Sequence, residues 1–208
     1  MRLFFLPVLA ALALGVSACS ETDSTDSNDA PLAGADIGGS FTLTNQNGET
    51  VSESDFTGQY RIMYFGYTYC PDVCPVDLQK LAKGFAAFEK ASPERAAKIQ
   101  PIFVTVDPER DTPDIIKTYV DAFHPRLIGL TGSAEDIDAV RKKFAVYAKK
   151  VESDETTEYL VDHSRQAYLL GPDGKPLALL SVDKTPDGQS SVPDDIAAEL
   201  DRWGPQAG

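Results

Sequence analysis

A chain of 208 residues with 42% hydrophobic and 25% charged residues has the composition of one globular domain plus short additions. Its net charge of −13 excludes a phosphate-neutralising face, so nucleic acid is not expected as a partner. A cation or a basic protein suits that charge, although solubility alone also accounts for it.

The first segment reads as an address rather than as part of the fold. Arg2 supplies a positive start, Leu3 to Leu14 an apolar stretch, and Val16-Ser17-Ala18 a small-residue cleavage site. The stretch is short for a spanning helix. Val16-Ser17-Ala18-Cys19 looks like a bacterial lipobox, which implies removal of residues 1–18 and lipidation of Cys19. An ordinary secretory peptide is the other reading, and both place the mature domain where disulfides persist. Residues 19–37 are expected to form a flexible acidic tether, with Glu21, Asp23, Asp26 and Asp29 among Ser, Thr and Asn. The folded domain is expected over 38–204.

Within that domain, Phe41-Thr42-Leu43-Thr44 alternates, Asn45-Gln46-Asn47-Gly48 turns, and Val51 opens a second strand, which predicts an N-terminal β-hairpin. The run 61–66 is nearly all apolar, as a buried central strand must be. Leu78, Leu81, Phe85 and Phe88 recur at helical spacing over 76–90. Pro75 disfavours helical geometry at Cys74 and predicts a helix start at Pro75 itself. A second buried strand covers 102–106, and Thr112-Pro113-Asp114 starts a helix that ends near His124-Pro125. A strand at 127–130 precedes a helix opened by Ser133. Strands at 166–170 and 177–182 flank Gly171-Pro172-Asp173-Gly174-Lys175, a late antiparallel hairpin, and a last helix covers 192–203. This order predicts an α/β domain of thioredoxin-like fold with its cysteines at the carboxyl end of a central strand.

Cys70 and Cys74 stand at that strand-to-helix junction, where the helix dipole lowers thiol pKa values and makes thiolates available as ligands or nucleophiles. Their sulfurs can bond to each other or splay around one ion. A purely structural disulfide closing so short a loop would contribute little chain-entropy stabilisation. His163, in Val161-Asp162-His163-Ser164, is the candidate third donor, with Asp162 expected to orient its ring. Two thiols and an imidazole are a poor set for structural zinc and a good one for a soft, exchangeable metal such as copper. His124 lies at a helix end and is expected to be structural.

Several motifs in order resemble those of the Sco/SenC family of copper-binding proteins. They are Tyr64-Phe65-Gly66-Tyr67-Thr68 running into Cys70-Pro71-Asp72-Val73-Cys74-Pro75, then Val106-Asp107-Pro108-Glu109-Arg110-Asp111-Thr112-Pro113, Phe123-His124-Pro125, Val161-Asp162-His163-Ser164 and Pro172-Asp173-Gly174. The resemblance implies a thioredoxin-like fold and a copper site made by Cys70, Cys74 and His163. It also implies delivery of copper or of reducing equivalents to the dinuclear copper site of cytochrome c oxidase subunit II. The lipobox reading places the protein at the bacterial cell envelope, membrane-anchored and facing the periplasm. Other periplasmic copper chaperones or thiol reductases are further expected partners. The role of 107–113 is not evident from the sequence. Tyr69 stands where many members carry His, so no fourth ligand is expected there, and 185–191 is expected to be a lengthened surface loop. The rival reading is a metal-independent thiol–disulfide oxidoreductase that uses the same two cysteines. Against it, the cysteine spacing is wider than Cys-x-x-Cys and no Pro in 162–164 faces the pair. A passive copper buffer or sensor would use the same ligands without transfer.

Overall fold

The alternation of side chains along one strand organises the molecule. The computed structural model describes residues 29–152, 159–183 and 191–207, and β3 (Tyr60–Gly66) lies at its centre. Ile62 and Tyr64 point into one apolar layer while Met63 and Phe65 point into the other, and all four are at most 3% exposed. That period of two, buried on both faces, is why the sequence shows a continuous apolar run there.

β3 pairs in parallel with β4 (Ile99–Thr105), which pairs in parallel with β5 (Ile128–Thr131). The expected hairpin of β1 (Thr42–Asn45) and β2 (Thr50–Ser52) joins antiparallel to β5, with Leu43 opposite Val51. The late hairpin, β8 (Ala167–Leu170) and β9 (Pro176–Leu180), adds antiparallel to the other side of β3. The seven-stranded order is therefore β2-β1-β5-β4-β3-β8-β9.

Helices cover both faces. α1 (Val73–Ala91), the short α2 (Pro93–Ala96), α3 (Pro113–Asp121) and α5 (Val192–Trp203) pack on the Ile62–Tyr64 side, and α4 (Ala134–Lys143) packs on the other through Ile137 and Val140. α1 and α5 approach so closely at Gly84 that a Cβ there would stand 2.6 Å from Ile196. Ser133 and Ser191 cap α4 and α5 by accepting from the backbone N–H groups of Asp136 and Asp194.

Three features differ from the sequence expectation. α1 begins at Val73, with Asp72 as its N-cap, so Pro75 lies third in the helix. An N–H at that position has no intrahelical partner, and proline loses nothing by lacking one. The packed chain also starts earlier than residue 38. Ala30 is buried and the Leu32 N–H donates to the Leu177 carbonyl at 2.9 Å. Finally, β6 (Ala148–Val151) and β7 (Leu160–His163) form a separate two-stranded antiparallel arm that the sequence pattern did not announce. The signal segment, Cys19, the tether up to residue 28 and residues 185–190 of the loop expected over 185–191 lie outside the described residues, while Ser191 caps α5. Among the described residues no helix is long and apolar enough to cross a membrane.

Candidate metal centre

Parallel strands leave their carboxyl ends at one edge of the sheet, where the loops that follow them converge. The loop after β3 carries Cys70 and leads into the first turn of α1, which carries Cys74. Gly66 ends the strand for a steric reason: a Cβ there would lie 3.1 Å from the Cys74 sulfur. The arm hangs over this edge and brings in His163, the last residue of β7.

The structure brings the three expected donors together. Cys70 Sγ, Cys74 Sγ and one nitrogen of His163 all lie within 4.8 Å of one another, and among the described residues no other such group of three is present. His163 Nε2 is 3.0 Å from Cys74 Sγ. The Cys74 N–H, one of the free donors of the first helical turn, points at Cys70 Sγ at 3.4 Å. His163 Nδ1 lies 2.7 Å from the Ser164 carbonyl oxygen. A carbonyl only accepts, so Nδ1 bears a proton, and Nε2, on the side of the sulfurs, is the nitrogen left to take a metal.

Burial separates the two thiols. Cys74 is fully buried and Cys70 is half-buried; both are free. Hydrogen bonding from Cys74, opposed by partial burial and aided by His163 and the backbone N–H groups of Cys74 and Asp72, holds Cys70 down at about 3. The hydrogen bond to Cys70, together with burial, pushes the Cys74 thiol far up. The pair therefore keeps one proton, with Cys70 as the thiolate and Cys74 as the buried thiol.

One expectation about the surroundings resolves differently. Asp162 does not orient the ring. It is exposed and sits opposite Lys149 in the β6–β7 ladder, because neighbours along a strand point to opposite faces. The Ser164 carbonyl takes that role instead. Tyr69 is 47% exposed with its ring under the Arg110 guanidinium. His124 is built into the scaffold: its Nδ1 accepts from the Arg126 N–H at 3.2 Å, and its ring meets Phe85 edge-on.

Sequence reasoning missed the groups behind the donors. Asp77, one turn after Cys74 and fully buried, receives two hydrogen bonds from Arg165 at 2.6 and 2.8 Å and one from the Tyr64 hydroxyl at 3.3 Å. Arg165 follows His163 by two positions, so this ion pair ties the imidazole's segment to the thiol's helix. The signal was present: Asp77 falls on the apolar stripe of α1, and a charge on a core face demands a partner.

With this geometry in hand, comparison with known proteins is specific. The SCO1/SenC family model matches residues 29–199. The mitochondrial SCO1 homolog of Mus musculus is 41% identical over 164 residues, covering 79% of this chain and 56% of that protein. The chain spans about half the length of this and the next curated relatives. The structure of Bradyrhizobium japonicum ScoI with copper bound superposes with a TM-score of 0.69 at 39% identity, covering 80% of this chain and 99% of that one. BsSco, described as a member of the Sco family of cytochrome c oxidase assembly proteins with a disulfide switch, gives 0.61 at 27% identity, covering 81% and 94%. Matched over its packed domain in sequence and in fold, this chain belongs to the SCO1/SenC family.

Proposed function

We propose that this protein binds one copper ion between Cys70, Cys74 and His163 and passes it to the dinuclear copper site of cytochrome c oxidase subunit II. The observation that carries this reading is the convergence of two sulfurs and an imidazole nitrogen within 4.8 Å. Thiolates suit copper(I), an imidazole extends the site to copper(II), and three ligands leave a position open for exchange with an acceptor's ligand. The copper-bound relative supports the choice of metal. Residues 1–18 as signal and Cys19 as lipid attachment would hold the domain at the cell envelope, facing the periplasm.

The test is titration of the reduced protein with copper, with affinity and the sulfur-to-copper charge-transfer absorption followed together. Wild type takes one equivalent. Cys70→Ser, Cys74→Ser and His163→Ala each weaken binding and change the band. Unchanged affinity and absorption in all three would reject the site. Mixing the loaded protein with an apo oxidase copper domain then reads transfer.

A second reading, reduction of the acceptor's cysteines without metal, draws on one observation: the depressed, half-exposed Cys70 beside the buried Cys74 is the arrangement of an attacking and a resolving thiol. Reduction of the partner by metal-free His163→Ala protein favours it.

A further inference from the structure

We infer that the loop at 107–111 positions both halves of the site, its Asp107–Arg110 end latching the β6–β7 arm that bears His163 and its Asp111 end fixing the loop that bears Cys70. This deepens the copper reading above and rests on the same three donors.

At the first end, Asp107 is fully buried and its carboxylate accepts from the Tyr159 hydroxyl at 2.8 Å and from Arg110 Nε at 2.6 Å. Tyr159 immediately precedes β7. Arg110 stacks over the Tyr159 ring, 3.7 Å from its centre, and donates to the Tyr159 carbonyl at 3.0 Å. The same guanidinium lies 5.8 Å from the Tyr67 ring centre and 4.9 Å from that of Tyr69, on either side of Thr68. Tyr67 continues the chain of contacts: its hydroxyl accepts from the Val161 N–H at 3.2 Å and its ring meets His163 edge-on at 5.8 Å. A planar, forked, stacking cation is needed here, and lysine does not supply one.

At the second end, buried Asp111 accepts from the Thr68 N–H at 3.1 Å, the Thr68 hydroxyl at 2.6 Å and the Thr105 hydroxyl at 2.6 Å. Thr68 lies two residues before Cys70. The Thr131 hydroxyl donates to the Asp111 carbonyl, anchoring the loop to β5. One short turn, closed by the Asp111 N–H to the Asp107 carbonyl, therefore grips the imidazole's arm with one hand and the thiol's loop with the other.

The two ends predict different phenotypes. Tyr159→Phe removes only the hydroxyl that reaches Asp107, and Arg110→Lys keeps the charge without the fork. Both should lower copper(II) affinity about 10- to 100-fold, the usual effect of losing a group that orients a ligand. They should also weaken the nitrogen splitting in the copper(II) spin-resonance signal, while copper(I) affinity, dominated by the thiolates, stays at the wild-type value. Thr68→Val should lower affinity for both oxidation states. In the metal-free protein, amide exchange at Val161 should accelerate in Tyr159→Phe and Arg110→Lys with the denaturation midpoint unchanged. Wild-type Val161 exchange in both variants, with undiminished nitrogen splitting, overturns the latch. If the wild-type chain takes no copper, the copper reading fails, and Val161 exchange still decides the latch.

Discussion

The thiols and the imidazole are held in place by different physics. Cys74 rides on α1 and Cys70 on the loop that joins β3 to α1, two elements whose side chains fill the apolar layers and whose geometry follows from packing. His163 rides on a two-stranded arm with four residues in each strand, where Lys149 and Asp162 are exposed. An isolated pair of strands is marginal in water, so the arm depends on one buried anchor, Val161, and on polar and stacking contacts made by a few side chains. Cys74 is therefore fixed by the core, the Cys70 loop by the core and the Thr68–Asp111 bonds, and the imidazole by one buried side chain, Val161, with hydrogen bonds and stacking around it. A site that must both hold and release an ion gains from having one donor on a part that opens without unfolding the rest.

The contrast can be broken from the core side first. Phe85 is 1% exposed in the layer beneath α1, and Phe85→Ala should cost about 3–5 kcal/mol in a urea melt. That loss should be global, with the thiols becoming reactive in step with unfolding. If Phe85→Ala instead leaves stability intact, the core is not what positions the cysteines.

The join between the two regions comes next. Arg165→Ala leaves the Asp77 carboxylate buried without its partner, which should cost about 3 kcal/mol, the low end for such a break because Arg165 is partly exposed. Asp77→Asn in the same chain should recover much of it. Equal loss in the single and double variants would show that Arg165 acts by packing alone.

The smallest effect on stability accompanies a sharp chemical one. With Cys70 held at about 3, its thiolate persists as the pH falls from 8 to 5, so alkylation there should show no rise near the ordinary thiol pKa. Because the pKa is lowered, reactivity falls off only at more acidic pH. Cys74, pushed up and buried, should react slowly throughout this range. A single rise near pH 8–9 for both thiols would show that the buried pair does not share its proton as described.

How much was legible follows the same division. β3, β4, α1 and both hairpins were readable because burial on one or two faces writes a period into the chain. The arm was not. Ala148-Lys149-Lys150-Val151 carries no sustained alternation, and its strand character comes from the contacts at Tyr159 and Val161 rather than from propensity. The error over Asp162 follows from missing the arm: once β7 is known to be a strand, Asp162 and His163 must face opposite ways. The three donors were legible as residue types, but the proton position on His163 required the Ser164 carbonyl, which only the folded backbone reveals. The turn at 107–111 was visible as a motif and opaque in purpose, because its partners, Thr68 and Tyr159, lie far away in the sequence.

The most direct test of the whole account is X-ray absorption at the copper edge of the reduced, copper-loaded protein, compared with His163→Ala. The account predicts two sulfur donors and one imidazole nitrogen in wild type, with the nitrogen lost and both sulfurs retained in the variant. A wild-type spectrum lacking the imidazole nitrogen, or one unaltered by the substitution, would contradict it.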